Sequence, residues 1–575
     1  MRLGILMIPA AVFVLARAAA ADTTWVSAGN VSGQWTAAGS PYMVLGTITV
    51  PTDSTLDIGP GITIFFVGQY SLNVDSSGTI SALGAEADSI CFTAAVLEPY
   101  GWNGINLYKT ADTCRFRYCI VTGAGCDGDC HAIKVFSSPL DLTHSSLRFN
   151  QSTTRVCEGG ALLLQGVLYA TVACCDFTSN RARHGGAGAI SQSNTSFEYC
   201  RFQQNAASDF GGAVFVFDWP GDHQVSFSRC TFSGNHSDTR GGAVAYHFTG
   251  PRFEDCLFLH NSAERGGAVD AWGSGTTMVG CTLKHNSAST YGGALYNYDA
   301  SWPNQTILRR CLITENTADS AGGGVYVEEN QIDVERCTIV RNSTTGRGSA
   351  IFNTDFWSYV RINSTIVAFN RGTCAYAFEG SYLDNSYARY NNFFGNDGGD
   401  YWGYTHGVWG RSSRVNANGD SCDSFLNIYL DPFFADTAVG DYRLTEDSPC
   451  IDAGDPSISP DPDSTIADIG AFYYWQPQSA HREPATVPAR TGLLAAYPNP
   501  FNAQTVLRYD LAQAGRVRLT VFDLLGREVA VLKDGFVAAG SHSAVWDAAR
   551  LPSGLYFAAL ETGSARSVQK VVLLR

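Results

Sequence analysis

One phrase recurs along the chain at a nearly fixed step, and that repetition limits the fold more than any other feature. "RCTFSGNHSDTRGGAVAY" occupies residues 229–246, "DCLFLHNSAERGGAVD" residues 255–270, and "GCTLKHNSASTYGGALYN" residues 280–297. The shared pattern is C-x-[FIL]-x-x-N, a polar turn, then G-G-A-[VIL]. Its Cys rungs fall at Cys175, Cys200, Cys230, Cys256, Cys281, Cys311 and Cys337. Its Asn rungs fall at Asn150, Asn180, Asn205, Asn235, Asn261, Asn286, Asn316, Asn342, Asn370 and Asn396, in steps of 25 to 30 residues. Self-similarity at this period specifies a solenoid in which each unit packs only on its neighbours.

The units lack helical periodicity and are rich in Gly, Asn, Thr and Ser. Their short apolar runs alternate, with Cys230 and Phe232 on one face and Thr231 on the other, which is strand periodicity. Two or three strands per unit predict one coil of a parallel β-helix, with coils about 4.8 Å apart. Each Cys then stacks on the Cys of the coil below as a buried free thiol acting as a small hydrophobe. Neighbouring thiols in such a column share one orientation, which disfavours disulfides between rungs. The Asn column is expected at a corner, bonding backbone groups and its own copies. The paired glycines let the next corner turn without a Cβ clash.

The F-x-x-N runs "FTSN", "FQQN", "FSGN" and "FLHN", paired with G-G-A-[VIL], resemble the repeats of chlamydial polymorphic outer-membrane proteins and related bacterial right-handed β-helix proteins. In that family the repeats form adhesin passenger domains ahead of an autotransporter barrel, and no barrel pattern is present here, which implies another export route. Residues 45–94 look like the first coils of secreted bacterial β-helices, and "GDYRLTEDSPCIDAGDPSISPDPDSTIADIGAFYYW" resembles the way such helices end. The resemblance implies a pectate-lyase-like right-handed solenoid. It does not fix a function, because such solenoids host adhesins, lyases, hydrolases and inert stalks.

A polar, Pro-containing stretch at 476–492 reads as a linker. Beyond it, short strands separated by Gly, Pro and Asp turns predict a small Ig-like β-sandwich. The runs "YPNPFN" (497–502), "VFDLLGREVAVL" (521–532), "LPSGLYFAAL" (551–560) and the terminal "KVVLLR" closely resemble the type A sorting domain of the type IX secretion system. That resemblance implies a didermic bacterium, export to the periplasm, and outer-membrane crossing through the type IX machinery, recognised through residues 493–575. The expected organisation is a signal peptide at 1–21, N-terminal coils and cap at 22–110, β-helix repeats at 111–475, the linker, and the sorting domain.

The start of the chain fits that route. Arg2 supplies a basic n-region, Leu3 to Ala16 an apolar run, and Ala19 and Ala21 a small-residue cleavage site. No later apolar run is long enough to span a bilayer. A net charge of −15 argues against nucleic acid as a partner. The expected location is secreted or on the outer-membrane surface.

Candidate chemistry lies on the G-G-A-[VIL] strand. Val214, Val244, Val269, Leu295, Val325 and Ile351 are expected to face the lumen. The next residues face out: Phe215, Ala245, Asp270, Tyr296, Tyr326 and Phe352. Two further on, also outward, come Phe217, His247, Trp272, Tyr298 and Glu328. These two columns form an aromatic platform with scattered polar groups, suited to a polysaccharide or a surface protein. The bland reading is a ladder that only stabilises the sheet, each cross-strand pair contributing roughly 0.2–1 kcal/mol.

A polysaccharide lyase or hydrolase is the alternative, with Arg240, Arg265 and Asp270 as its neighbourhood. Its acids are spread over many coils, as in the loose column Asp218, Asp299, Glu329 and Asp355, with no close pair at glycosidase spacing. No catalytic or metal residue is assigned. His260 and His285 share one rung and are expected about 5 Å apart, more as a polar rung than as a metal pair. Asp461, Asp463 and Asp468 are Ca²⁺ candidates set against a plain turn. Disulfides are expected among Cys126, Cys130, Cys157, Cys174, Cys374, Cys422 and Cys450, outside the column, with the odd total of 17 leaving at least one free thiol. The sequence thus reads as an exported, non-enzymatic binding or adhesion scaffold on an all-β solenoid.

Overall fold

The computed structural model describes residues 23–96, 101–126, 131–152, 158–218, 223–298, 305–354, 358–379, 386–403, 409–416, 418–476, 490–494, 496–513, 515–537, 540–563 and 565–574. The chain divides into two compact units, Met1–Gln476 and Pro477–Arg575.

The first unit is a parallel β-solenoid whose walls are sheets of 15, 15, 14 and 9 strands, each pairing in parallel with its counterpart on the next coil. One coil shows the plan. Thr231–Ser233 belongs to what we call the Phe wall, His236–Ser237 to a short wall, Val244–His247 to the Gly-Ala wall, and Arg252–Glu254 to the return wall. The register then advances one full coil, placing Phe232 on Phe258 and Val244 on Val269.

Alternation decides what fills the lumen. Phe177, Phe202, Phe232 and Phe258 point inward from the Phe wall and stack with centroids 4.8 Å apart and planes within 7°. Phe197, Phe227 and Phe253 form a second stack from the return wall at 4.8–5.1 Å. Full burial of a Phe stabilises by roughly 1.5–3 kcal/mol before the stacking increment, so these columns dominate the core.

The Asn rungs form a continuous hydrogen-bonded ladder. Asn261 donates through Nδ2 to the Phe232 carbonyl and to Asn286 Oδ1, both at 2.9 Å. Its own Oδ1 accepts from the backbone N–H and Nδ2 of Asn235 at 3.0 and 2.9 Å. The pattern repeats from Asn150 to Asn396, so each amide saturates a buried corner where the strand ladder has ended.

The Cys rungs stack as expected, as free thiols. They do more than fill space. Cys256 Sγ lies 3.3 Å from the Phe227 carbonyl of the previous coil and 3.4 Å from Glu254 O, and Cys230 and Cys337 repeat the geometry. Where the rung is not Cys, Ser145, Thr365 and Asn391 occupy it and accept the backbone N–H of Cys119, Cys337 and Thr365. This column is therefore a polar corner written mostly in thiols. Burial holds Cys230 and Cys281 above the usual thiol range and pushes Cys119 up to about 12, so these groups keep their protons.

The last part of this unit does not merely close the end of the solenoid. Residues 421–474 run back along the outside of the Phe wall, where Tyr442, Leu444, Cys450 and Ile469 pack on Leu312, Val340, Ile366 and Ala368. Tyr442 Oη meets Thr314 Oγ1 at 3.2 Å, and the Ala471 N–H donates to Thr338 Oγ1 at 3.0 Å. Arg336, itself buried, pairs with Asp461 in this segment.

The second unit consists of a three-stranded and a four-stranded antiparallel sheet around Phe501, Leu507, Leu519, Trp546, Tyr556 and Val571. The "YPNPFN" run is tied to the final strand. Asn499 accepts from the Val572 N–H at 2.8 Å and donates to the Lys570 carbonyl at 3.1 Å, while Phe501 bridges Leu573.

Candidate functional site

The corner leading into the Gly-Ala wall is set by paired glycines. Gly241, Gly266 and Gly292 have φ of 66°, 61° and 68°, and a Cβ on Gly266 would overlap the Val269 carbonyl. A Cβ on the second glycine, Gly267, would meet the backbone of Gly293 on the next coil. The residue ahead of each pair stacks coil on coil as well, with Arg240 bridged to Phe210 on one side and to Arg265 on the other. Its side chain lies against the outer face of the Gly-Ala wall.

All nine residues singled out from sequence sit on that face. Strand register stacks Phe215, Ala245, Asp270, Tyr296, Tyr326 and Phe352 in one column, and Phe217, His247, Trp272, Tyr298 and Glu328 in the next. Between them Val214, Val216, Val269 and Leu295 join the lumen core, while Tyr296, Tyr326 and Phe352 form a separate cluster outside it. The rings touch in sequence. Phe215 meets His247 at 5.0 Å, His247 meets Trp272 at 4.4 Å, and Trp272 meets Tyr298 at 6.5 Å. Tyr298, Tyr296, Tyr326 and Phe352 continue the chain at 6.2, 5.2 and 5.2 Å. Phe217 joins through Phe248.

The exposure expected of this platform holds for only part of it. The near column is buried throughout, as is His247, whereas Trp272 and Tyr298 are half-buried and Phe217 is 36% exposed. The cover comes from the residues ahead of the glycines. Phe210 packs on Phe215 and His247, Tyr291 on Tyr326, and His184 on Phe215. Arg240 lies over Trp272 at 5.6 Å and Arg265 over Tyr296 at 5.7 Å. Arg240 and Arg265 were visible in sequence as one repeated position. That they and Phe210 fold down over the columns follows from the αL corner, whose direction the G-G pair alone does not reveal.

Asp270 is the anomaly on this face. It is fully buried, both carboxylate oxygens lack a hydrogen-bond partner, and so do Nη1 of Arg240 and Nε2 of His247. Burial pushes the Asp270 carboxyl up to about 7, against the pull of Arg240 and Arg265. Burial, aided by Arg240 and His184, drives His247 down to about 3, so it is neutral at physiological pH. Tyr296 Oη donates to Glu328 Oε2 at 2.7 Å, spanning adjacent coils.

The other candidates resolve separately. His260 and His285 stack at 4.9 Å with planes 3° apart, the spacing expected of adjacent rungs, and His285 pairs with Glu315 at 3.1 Å. Among the described residues no group of three His, Cys, Asp or Glu side chains has the arrangement of a metal site. Asp461 Oδ2 accepts the Asp468 N–H, and Asp463 accepts from Thr465 and Gln476, so these carboxylates brace the returning segment. Of the loose acidic column, Asp218 is buried and accepts from His223, while Asp299 and Asp355 lie outside the described residues. The disulfide expectation is corrected where it can be read: Cys174, Cys374, Cys422 and Cys450 are free, with Cys422 and Cys450 in the core of the returning segment, Cys374 packed in the cluster of Tyr326 and Phe352, and Cys174 exposed. The side chains of Cys126, Cys130 and Cys157, like the signal peptide expected at 1–21, lie outside the described residues.

Comparison with known families agrees with this architecture. Residues 98–258 and 140–304 match the family described as right handed beta helix region, and residues 495–574 match the secretion system C-terminal sorting domain. No curated protein matches the chain as a relative. The chain therefore carries a stretch similar to right-handed β-helix regions and, at 495–574, a type IX sorting domain, whose presence implies a secreted or cell-surface protein that engages the secretion machinery. No helix among the described residues is long and apolar enough to cross a membrane.

Proposed function

We propose that this secreted or cell-surface β-helix is a binding scaffold whose recognition face is the outer side of the Gly-Ala wall, between Phe217 and Glu328, taking a polysaccharide or a surface protein as ligand. The observation that carries the reading is the half-open part of the ring chain. Trp272 and Tyr298 stand on adjacent coils outside the lumen, one coil-step apart, beside Arg240. Flat π surfaces at a fixed axial spacing suit an extended, repetitive ligand. Nearby polar groups can orient it.

The aromatic column also stabilises the sheet, and the two roles separate by depth. The buried near column, Phe215, Tyr296, Tyr326 and Phe352, serves the scaffold; the rim formed by Phe217, Trp272 and Tyr298 serves the ligand. The test is a glycan-array and polysaccharide pull-down screen on the full chain, with and without Ca²⁺ and with product analysis. Retention that falls at least about tenfold in the Trp272→Ala/Tyr298→Ala double variant, with its circular dichroism unchanged, supports the face. Unaltered retention in that variant removes it. Appearance of unsaturated uronides or new reducing ends replaces the binding role with polysaccharide cleavage near Arg240, Arg265 and Asp270.

A further inference from the structure

Asp270 lies buried beneath the recognition face, within electrostatic reach of Arg240 and Arg265 and without a side-chain hydrogen bond to either. Asp270 stands in the near column between Ala245 and Tyr296, with both oxygens buried and unpartnered. Arg240 and Arg265, bridged backbone to backbone on adjacent coils, flank it. Instead of pairing with the carboxyl, each guanidinium rests on a ring: Arg240 on Trp272, Arg265 on Tyr291 and Tyr296 at 5.9 and 5.7 Å. A carboxylate could not persist in this position uncompensated, since an isolated buried charge is far costlier than a neutral acid. Two cations held on aromatic faces are the nearest compensation.

We infer that Asp270, Arg240 and Arg265 form a charge switch that sets whether the face of Trp272 is covered or open to a ligand. With Asp270 protonated, the guanidiniums stay on the rings and the face is closed. When Asp270 loses its proton to solvent, the carboxylate draws the guanidiniums inward as hydrogen-bond donors, and the Trp272 face is released. Asp270 itself is poised for this, since burial raises its carboxyl to about 7. The other charged and titratable groups packed around it work within the same corner. His247 is held neutral, near 3, by burial and by Arg240. His184 pairs with Asp209 at 3.2 Å. Tyr296 is raised by burial and bonded to Glu328, and Glu264 contacts Arg265 at 3.6 Å. Tyr246, on the lumen side, is raised by burial and stays neutral.

The switch regulates the face assigned above and rests on that reading for its purpose, but it is read without any ligand. The experiment is acrylamide quenching of tryptophan fluorescence on the full chain from about pH 5.5 to about pH 8.5, a window bracketing the Asp270 value. Subtracting the Trp272→Phe variant isolates Trp272 from the other ten of the 11 tryptophans. The expected result is that quenching of Trp272 rises about twofold or more as pH increases, with a midpoint near 7, and that Asp270→Asn abolishes the change. The same midpoint in the near-ultraviolet circular dichroism of wild type, absent in Asp270→Asn, reads the switch without the Trp272 variant. A flat wild-type profile, or an equal transition in Asp270→Asn, overturns it; the latter assigns the change to another group. Failure of every glycan in the binding screen would leave this transition intact, so the two readings fail separately.

Discussion

Replacing Asn261 with Ala tests whether the corner ladder or the packed lumen holds the coils in register. Asn261 makes four ladder bonds through its side chain: two donated, to Phe232 O and Asn286 Oδ1, and two accepted, from the N–H and Nδ2 of Asn235. All of these groups are buried, so water cannot replace the lost partner without opening the corner. At about 1 kcal/mol net per bond the loss comes to about 4 kcal/mol, before any excess for the stranded Asn235 N–H. A solenoid distributes stability between neighbours, so the effect should be local rather than global. Hydrogen exchange with mass-spectrometric readout on the full chain is the suitable assay. Peptides covering residues 205–316 should exchange roughly a thousandfold faster, about 4 kcal/mol at tenfold per 1.4 kcal/mol, with coils beyond them unchanged. The control, Ser233→Ala on the outer side of the Phe wall, should leave exchange as it is. Acceleration below about fivefold in Asn261→Ala would refute the ladder as a stabilising element and leave the phenylalanine stacks as the sole source of register.

Three further outcomes follow from the same geometry. Cys256→Ser should cost under about 1 kcal/mol in a urea titration, because Ser145 already occupies that rung and bonds as the thiols do, whereas a larger loss would mean that the column depends on thiol volume. Gly267→Ala should cost more than about 3 kcal/mol or prevent folding, since its Cβ would enter the Gly293 backbone and nothing there can move as a side chain would. Asp270→Asn should flatten part of the pH dependence of stability. The folded carboxyl titrates near 7 and the unfolded one near 3.8, so the Asp270 contribution to stability should fall as pH rises between those values, by roughly 4 kcal/mol in all, and the difference between variant and wild type should change by that amount across the window. His247 acts in the opposite sense, because its folded value lies near 3: its contribution is present above about 6.5 and lost as pH falls towards 3.

The parts of this molecule that repeat were legible in its sequence, and for a physical reason. A coil that must stack on a copy of itself places the same residue at the same corner each time, so Asn and Cys columns and glycine pairs appear as periodic letters. What the letters did not carry was curvature outside the lumen. Alternation located Asp270 and Tyr296 on the outer face, but burial there depends on Arg240, Arg265 and Tyr291 folding across the αL glycine, a relation between two walls of a coil. The returning segment left a readable trace. "CLIT", "CTIV" and "STIVAF" carry apolar residues on both faces, and their outward Leu312, Val340, Ile366 and Ala368 lie under residues 421–474. The thiols of Cys422 and Cys450 were drawn to disulfides by the logic of an exported protein, yet each fills an apolar gap in that segment. A type of residue does not announce which of its two uses it serves.

The claim that the outer Gly-Ala wall is the recognition face is tested most directly by hydroxyl-radical footprinting of the full chain with and without a polysaccharide captured in the screen. Phe217, Trp272 and Tyr298 should be protected together, with Trp25 and Tyr199, exposed elsewhere on the solenoid, modified as before. Protection that leaves Trp272 and Tyr298 reactive and falls on other walls or on residues 490–574 would contradict it.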